Sequence, residues 1–383
     1  MTITFFSNFL NDHQLPFCEE IINHVGLSNF HFVASRQIDL DRLEMGFENM
    51  NETKSFVVRA YQDKESLELA QKLMIESDVA IIGSTKNMPI KERSISNKLT
   101  FRYNERILKK GDIHLFDPRL FKSVYNNFTR YKCKNVYTFC ASAYTARDLA
   151  LFGYPKTKCY KWGYFPKMKI YEDIDVLLEK KKAGLKHRQD VSILWVGRLI
   201  ELKHPEHALA MAKKLKEDNV NFNLKIIGSG NMYSELDQMI HNLSLSDKVS
   251  LLGNMSPDEV RDHMEKSQIF LFTSDKREGW GAVLNESMNS ACAVVANKVI
   301  GSVPFLINHG ENGMIYGNIN ELYDHVKFLI DNPDARTRMG RQAYVTMSTQ
   351  WNAKDATNRL FEIIKTIQDG QGNPYKEGPC SLV

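Results

Sequence analysis

The segment that most constrains the fold begins at Gln268-Ile-Phe-Leu-Phe-Thr273, a short apolar, aromatic run of the kind that forms a buried strand. It breaks into polar Ser274-Asp-Lys-Arg277, passes through Glu278-Gly-Trp-Gly281, and continues as Ala282-Val-Leu-Asn-Glu-Ser-Met-Asn-Ser-Ala291, which reads as a helix. Strand, glycine turn and helix in immediate succession define an α/β unit. Gly279 and Gly281 let the backbone turn sharply and approach a ligand closely. At the helix start the first amides lack intrahelical acceptors and the dipole is positive, which suits a diphosphate. Glu286 lies about one turn further in, where its carboxylate could reach ribose hydroxyls of a nucleotide so bound, while Glu278 stays in the loop and would face an attached sugar. Two solvated glutamates around such a turn also occur in α/β proteins that bind nothing there, so the rest of this half-chain has to decide.

A second strand, Val191-Ser-Ile-Leu-Trp-Val196, ends in Gly197-Arg198, with Lys203 five residues after Arg198. Open α/β sheets bind ligands outside the carboxyl ends of their strands. An Arg and a Lys at that end can neutralise a pyrophosphate leaving group without a metal. Either cation alone is commonly a solvated surface residue; together with the glutamate pair they form a pattern.

That pattern resembles the retaining glycosyltransferases of family 4, which have the two-domain GT-B architecture: α/β, two Rossmann-like domains facing across a cleft. The likeness runs from Val191 to about Ile364. It takes in Leu224-Lys-Ile-Ile-Gly-Ser-Gly230, Val249-Ser-Leu-Leu-Gly-Asn-Met-Ser-Pro257 and Cys292-Ala-Val-Val-Ala-Asn297, leading to Gly301-Ser-Val-Pro304. Gly301-Ser-Val-Pro-Phe305 departs from the family, many of whose members carry two glycines and a Pro-Glu here. The resemblance implies transfer of a sugar from a nucleotide diphosphate sugar, of UDP type, to a lipid-linked oligosaccharide acceptor, with the anomeric configuration retained and no metal or other cofactor. It implies Glu278, Arg198, Lys203 and His13 as catalytic residues. The nucleotide sugar would lie against Gly197, Gly228, Ser229, Asn254, Gly279, Trp280, Gly281, Ala282, Val283 and Glu286. Nucleotide-sugar epimerisation on the same architecture, or an inactive scaffold in a polysaccharide assembly complex, are the alternatives. A scaffold would be marked by loss of Glu278, Arg198 or Lys203, and all three are present.

Each half of the chain alternates strands with helices, and the strand signals fade between Tyr171 and Arg188 into the polar Glu179-Lys-Lys-Lys-Ala-Gly-Leu-Lys-His-Arg188. This places a linker near residue 187, an acceptor-binding domain over 1–187, a nucleotide-sugar domain over 188–365 and a tail over 366–383. The first half holds 29 Lys+Arg against 22 Asp+Glu, net +7; the remainder holds 21 against 24, net −3. With 43% hydrophobic and 25% charged residues the composition is that of a globular enzyme. No apolar run approaches 18 residues, Met1-Thr-Ile-Thr-Phe-Phe6 reads as a strand, and six cysteines show no metal-like spacing. The expectation is a cytoplasmic protein with reduced thiols. Cys380-Ser-Leu-Val383 has only the outline of a prenylation box and is read as tail.

In the first half, Ile3–Ser7 reads as a strand followed by a loop and a helix with Pro16 near its start. By resemblance to family-4 enzymes of bacterial surface polysaccharides, such as capsule and O-antigen synthesis, His13 in that loop would touch donor or acceptor; an exposed loop residue or helix cap is the competing reading. Arg102, Glu105 and Arg106 in Leu99-Thr-Phe-Arg-Tyr-Asn-Glu-Arg-Ile107 fall where relatives place acceptor-side residues; structural ion pairing is the competing reading. Between Lys86 and Lys134 stand 13 Lys+Arg and 4 Asp+Glu. Within that stretch Leu115, Phe116, Leu120, Phe121, Val124, Tyr125 and Phe128 recur at helical spacing among Arg119, Lys122 and Arg130. Such a helix either packs its apolar face in a core or lies on an anionic membrane surface. Nucleic acid is disfavoured, because zinc spacing, a recognition helix and an RNA-binding box are all missing from the sequence. A P-loop is missing too. Asp39-Leu-Asp41 and Asp173-Ile-Asp175 imitate a metal-binding acidic pair without its strand-end context.

Overall fold

The computed structural model describes residues 1–40, 43, 46, 48–183 and 190–383. They form two compact units, Met1–Lys167 with Trp351–Val383, and Met168–Gln350. The expected divide at residue 187 lies outside the described residues, as does Asp41 of the first acidic pair.

The first unit is built on β1 (Ile3–Ser7), β2 (Phe30–Ala34), β3 (Val57–Arg59), β4 (Val79–Ile82), β5 (Leu99–Asn104), β6 (Val136–Cys140) and β7 (Cys159–Lys161). All pair in parallel, in the order β3-β2-β1-β4-β5-β6-β7. β1 and β4 are buried along their whole length, as continuous apolar strands covered on both faces should be. Arg93 closes the lower end of this sheet. It is fully buried, and its guanidinium donates to Thr100 Oγ1 (2.9 Å) and to the carbonyls of Met74, Ser77 and Leu99 (2.9, 2.8 and 2.7 Å). A buried cation is tolerated when its donors are satisfied this fully.

The helix Ala353–Gln368 belongs to this first unit, so the second ends before residue 365. It packs on the helix Leu15–Val25, where the His24 ring stacks on Phe361 at 4.7 Å. The segment read as a tail is also docked. Cys380 N–H donates to the Lys161 carbonyl (2.8 Å) and Lys161 N–H to that of Ser381 (2.7 Å), covering the open edge of β7. Cys380 is wholly buried there, and all six cysteines are free thiols.

The second unit holds β8 (Val191–Val196), β9 (Phe222–Ile227), β10 (Val249–Leu251), β11 (Ile269–Phe272), β12 (Ala293–Asn297) and β13 (Met314–Tyr316), parallel in the order β10-β9-β8-β11-β12-β13. Strand order reverses direction between β8 and β11. At such a switch point the following loops diverge to opposite faces and leave a crevice outside the strand ends.

One sequence reading needs correction. The stretch before residue 184, taken as linker, is the helix Ile174–Ala183, which buries Leu177 and Leu178 against Ala291 and Tyr344. Lys181 is buried with them, its Nζ donating to the Met264 carbonyl (2.6 Å) and to that of Ser267. Its charge made it look like a surface residue, but its donors are satisfied by carbonyls at the end of the helix Pro257–Lys266. Asp173, half of the second acidic pair, accepts from the Asp175 amide (2.8 Å), and Asp175 pairs with Arg341. That pair is a structural turn.

The amphipathic stretch resolves into the helix Pro118–Asn127 with both faces used. Val124 and Phe128 are buried, with Leu115 and Leu120 packed against the same cluster. Phe121 and Tyr125 remain about half exposed, and Phe116 and Ile113 in the preceding turn are 85% and 77% exposed. Among the described residues no helix is long and apolar enough to cross a membrane.

Candidate functional site

The loops leaving β8 and β11 meet at the switch point of the second sheet, and hydrogen bonds fix how. Trp195 Nε1 donates to Thr273 Oγ1 (2.8 Å), and Thr273 Oγ1 donates in turn to the Lys203 carbonyl (2.6 Å). Asp275 N–H donates to the Leu202 carbonyl (2.9 Å). These ties bring Lys203 and Glu278, 75 positions apart, into a direct ion pair in which both side chains are mostly shielded from solvent. Ser274 Oγ donates to the same Glu278 oxygen (3.1 Å). Arg198 sits exposed at the end of β8. A lysine, an arginine and a glutamate thus gather at the carboxyl ends of two adjacent parallel strands.

The β9 exit packs against this platform through backbone alone. Gly197 N–H donates to the Ile227 carbonyl (3.1 Å), Leu199 N–H to Ser229 (2.8 Å), and Gly228 N–H to Gly253 (2.7 Å). At Gly228, with φ +141°, a Cβ would lie 1.9 Å from the Gly197 carbonyl oxygen. Only glycine fits there. Ser229 and Asn254 are exposed beside this junction.

The Glu278–Gly281 loop is held rigid from beneath. Trp280 is wholly buried; its Nε1 donates to Asn285 Oδ1 (2.8 Å), and its carbonyl accepts from Ser302 Oγ (2.6 Å). A Cβ on Gly281, φ +77°, would lie 2.2 Å from the Phe272 ring. The Trp280 side chain therefore shapes the loop from the core side and presents no face to a ligand, contrary to the sequence reading; Gly279 and Ala282 are buried as well. Glu286 is half buried in the helix Val283–Asn289. The Leu284 and Glu286 amides already donate to Gly281 and Ala282 (3.0 and 3.2 Å), so a phosphate would meet only the earlier amides at Gly281–Val283. Arg261 caps the far end of that helix, its Nη1 donating to Asn289 Oδ1 (2.9 Å) and to the Glu286 carbonyl (3.3 Å).

Ser274 and Thr273 were missed from sequence because nothing local marks them; their importance comes from partners 4 and 70 residues away. Asp275 was missed likewise. Burial works to raise its carboxyl pKa, but hydrogen bonds from Arg277 and His204 outweigh that and hold it below its ordinary value.

In the first unit, His13, Glu105 and Tyr164 come together at the carboxyl ends of β1, β5 and β7. The His13 and Tyr164 rings stack at 5.7 Å, Tyr164 Oη donates to Glu105, and Glu105 pairs with Lys109. Tyr164 was not singled out in the sequence. Arg102 and Arg106 do not join this cluster. Arg102 is buried in β5 against the Phe128 ring at 5.3 Å, and burial lowers its pKa to about 10. Arg106 lies over the Tyr144 ring at 4.8 Å and beside Asp148 (3.5 Å). Asp148 is fully buried, and burial raises its carboxyl pKa despite Arg106 and Arg147. The ion-pair reading fits Arg106 with Asp148, whereas Arg102 is buried in the packed part of β5, with the Asn127 side chain and the Phe128 ring as its neighbours.

Residues 178–346 match the family model for glycosyl transferases group 1. The chain is 33% identical over 149 residues to an uncharacterized glycosyltransferase of Methanocaldococcus jannaschii, covering 38% of this chain and 40% of that protein. It is 31% identical over 201 residues to the amylovoran biosynthesis glycosyltransferase AmsK of Erwinia amylovora, covering 50% and 49%. The chain spans about half the length of the curated relatives it matches. Among solved structures, Anabaena HepE in complex with UDP superposes with a TM-score of 0.71 at 15% identity, covering 96% of this chain and 100% of that one. Residues 178–346 thus resemble a group 1 glycosyltransferase domain, and the two parallel-sheet, Rossmann-like units have the GT-B fold.

Proposed function

We propose that this chain, carrying a group 1 glycosyltransferase domain, transfers a sugar from a UDP-type nucleotide sugar to a hydroxyl of a lipid-linked glycan with retention of anomeric configuration. The observation that carries the reading is the Lys203–Glu278 pair at the β8/β11 switch point, with Arg198 beside it. The charge that grows most during glycosyl transfer is on the departing diphosphate. Preorganised cations and amides aimed at it supply transition-state stabilisation that water cannot match. Lys203, Arg198 and the amides at Gly281–Val283 fill that role. Glu278 exchanges its partner Lys203 for donor sugar hydroxyls, Glu286 binds ribose, and Gly197, Gly228, Ser229 and Asn254 line the nucleotide side. The leaving phosphate accepts the acceptor's proton on the same face, so neither a separate protein base nor a metal is needed. His13 and Glu105 serve the acceptor. HepE structures holding UDP and UDP-glucose support a UDP donor, and relatives such as AmsK support a place in surface-polysaccharide synthesis.

The donor class is tested by thermal shift with UDP, GDP, ADP and CMP, with and without EDTA. A nucleotide at a hundred times its Kd adds about 2.7 kcal/mol. UDP is expected to raise the Tm of the wild type by several degrees irrespective of EDTA, and to leave Glu286→Ala nearly unmoved. A selective response to GDP or ADP would reassign the donor.

The acceptor reading places the first unit on an anionic membrane. Ile113, Phe116, Phe121 and Tyr125 project outward next to exposed Arg119, Lys122 and Arg130, a combination that inserts rings below the headgroups while cations meet them. Replacing Phe116 and Phe121 with serine together should weaken binding to phosphatidylglycerol vesicles at least about tenfold, since each buried aromatic is worth about 1.5–3 kcal/mol. Tm should fall only slightly, because Phe116 is largely exposed and Phe121 is half exposed beside the Phe152 ring. Equal sedimentation of variant and wild type with vesicles would rule this face out.

A further inference from the structure

One residue beyond Lys203 the chain does something costly. His204 adopts the left-handed conformation, φ 48° and ψ 52°, at the start of the helix Pro205–Glu217. A non-glycine residue there is uncommon and strained. The effect is to fold the imidazole back over the first helical turn. Its ring stacks on that of His207, with centroids 4.6 Å apart and planes within 12°. His204 Nδ1 lies 2.6 Å from Glu206 Oε1, and His207 Nε2 lies 4.0 Å from the same oxygen. One donor atom from each of the three side chains falls within 4.8 Å of the others. Glu206 Oε2 and His207 Nδ1 are shielded from solvent without a hydrogen-bond partner among the described residues. On the far side of the His204 ring, Nε2 meets Asp275 Oδ2 at 3.3 Å. A carboxylate on the second ring nitrogen orients the imidazole and directs its other nitrogen to a metal, the usual outer-shell arrangement of histidine ligands.

From this geometry we propose that His204, Glu206 and His207 form a binding site for a divalent transition metal of the Zn2+ class, with Asp275 as its outer-shell partner. Two imidazoles and one carboxylate are the donor set such ions take, leaving a fourth position for water. The site lies outside the proposed sugar chemistry, yet it is wired to it. His204 adjoins Lys203, and Asp275, whose amide is bonded to the Leu202 carbonyl, precedes Glu278 by one turn of loop. A bound ion clamps the segment that presents Lys203.

The test uses tag-free, full-length protein without any nucleotide, so it stands whether or not the sugar-transfer reading does. Co2+ is titrated in and followed by its visible ligand-field bands. The expected result is one equivalent bound per chain with the intense bands of a four-coordinate site, bleached by Zn2+. His204→Asn, which keeps a residue tolerant of the left-handed conformation, and His207→Gln should each weaken Co2+ binding at least about tenfold, on the scale that even outer-shell changes produce. Zn2+ should raise the Tm of wild type and not of these variants. Glu206→Gln provides a third variant should either histidine change unfold the chain by circular dichroism. Absence of saturable Co2+ uptake in the wild type, or uptake unchanged in the folded variants, overturns the proposal.

Discussion

Lys203→Ala is expected to lower kcat/KM for sugar transfer by about 10²–10³-fold, the loss seen when one preorganised charge-stabilising donor is removed. The segment itself should survive, because it is held through the Lys203 carbonyl by Thr273 and through the Leu202 carbonyl by Asp275, neither of which needs the ammonium. What disappears is the cation proposed to meet the diphosphate. Since Glu278 loses its partner as well, the single change mixes two effects. Glu278→Gln separates them: it removes the carboxylate's charge while keeping a group that can hold sugar hydroxyls. It should also abolish most transfer, and the double variant should be barely worse than the poorer single one if the two residues act as a unit. The loss at Lys203 should fall on kcat more than on KM, as befits a charge that grows only in the transition state. Steady-state rates with a UDP-sugar panel and a membrane-extracted acceptor give the answer. Near-normal turnover of Lys203→Ala would remove the central assignment.

Gly228→Ala should produce the largest loss of stability among conservative changes in the second unit, about 3 kcal/mol. A positive-φ alanine and an overpacked contact each cost on the order of 1–3 kcal/mol. The added methyl would stand 1.9 Å from a backbone carbonyl, that of Gly197, which is itself tied into the strand ladder and has no rotamer to change. Gly281→Ala makes a useful contrast. Its methyl would strike the Phe272 ring at 2.2 Å, a side chain that can tilt, so the smaller cost is expected there. In melting experiments the Gly228 variant should fall by roughly 6–12 °C, at about 2–4 °C per kcal/mol for a unit of this size. Equal melting of the two variants would show that the β8 and β9 exits are not held as close as described.

Much of the strand-end cluster in the second unit was legible in the chain. The apolar runs at 191–196 and 268–273 are too short and too continuous for anything but buried strands, and the glycines, cations and glutamates beyond them fall in loops that a parallel sheet must deliver to one end. The corresponding cluster in the first unit was less legible. Arg102 and Arg106 carry charges that look available in a linear sequence, yet one lies under Phe128 and the other beside buried Asp148. Tyr164, which links His13 to Glu105, follows a strand 59 residues from Glu105 and has no local signature. The polar run before residue 184 read as a linker because lysines dominate it, while its two leucines and the hidden Lys181 decide its packing.

By itself, then, the sequence determined the α/β class, the strand–turn–helix units and the residue types at their ends, because side-chain periodicity and glycine placement are local properties of the chain. Only the tertiary structure decided which of those residues meet. The order β10-β9-β8-β11-β12-β13 puts the exits of β8 and β11 side by side and so joins Lys203 to Glu278, turns Trp280 inward, and sets His204 against Asp275. Such contacts depend on strand order, crossover and burial across many residues, which no short window of sequence contains.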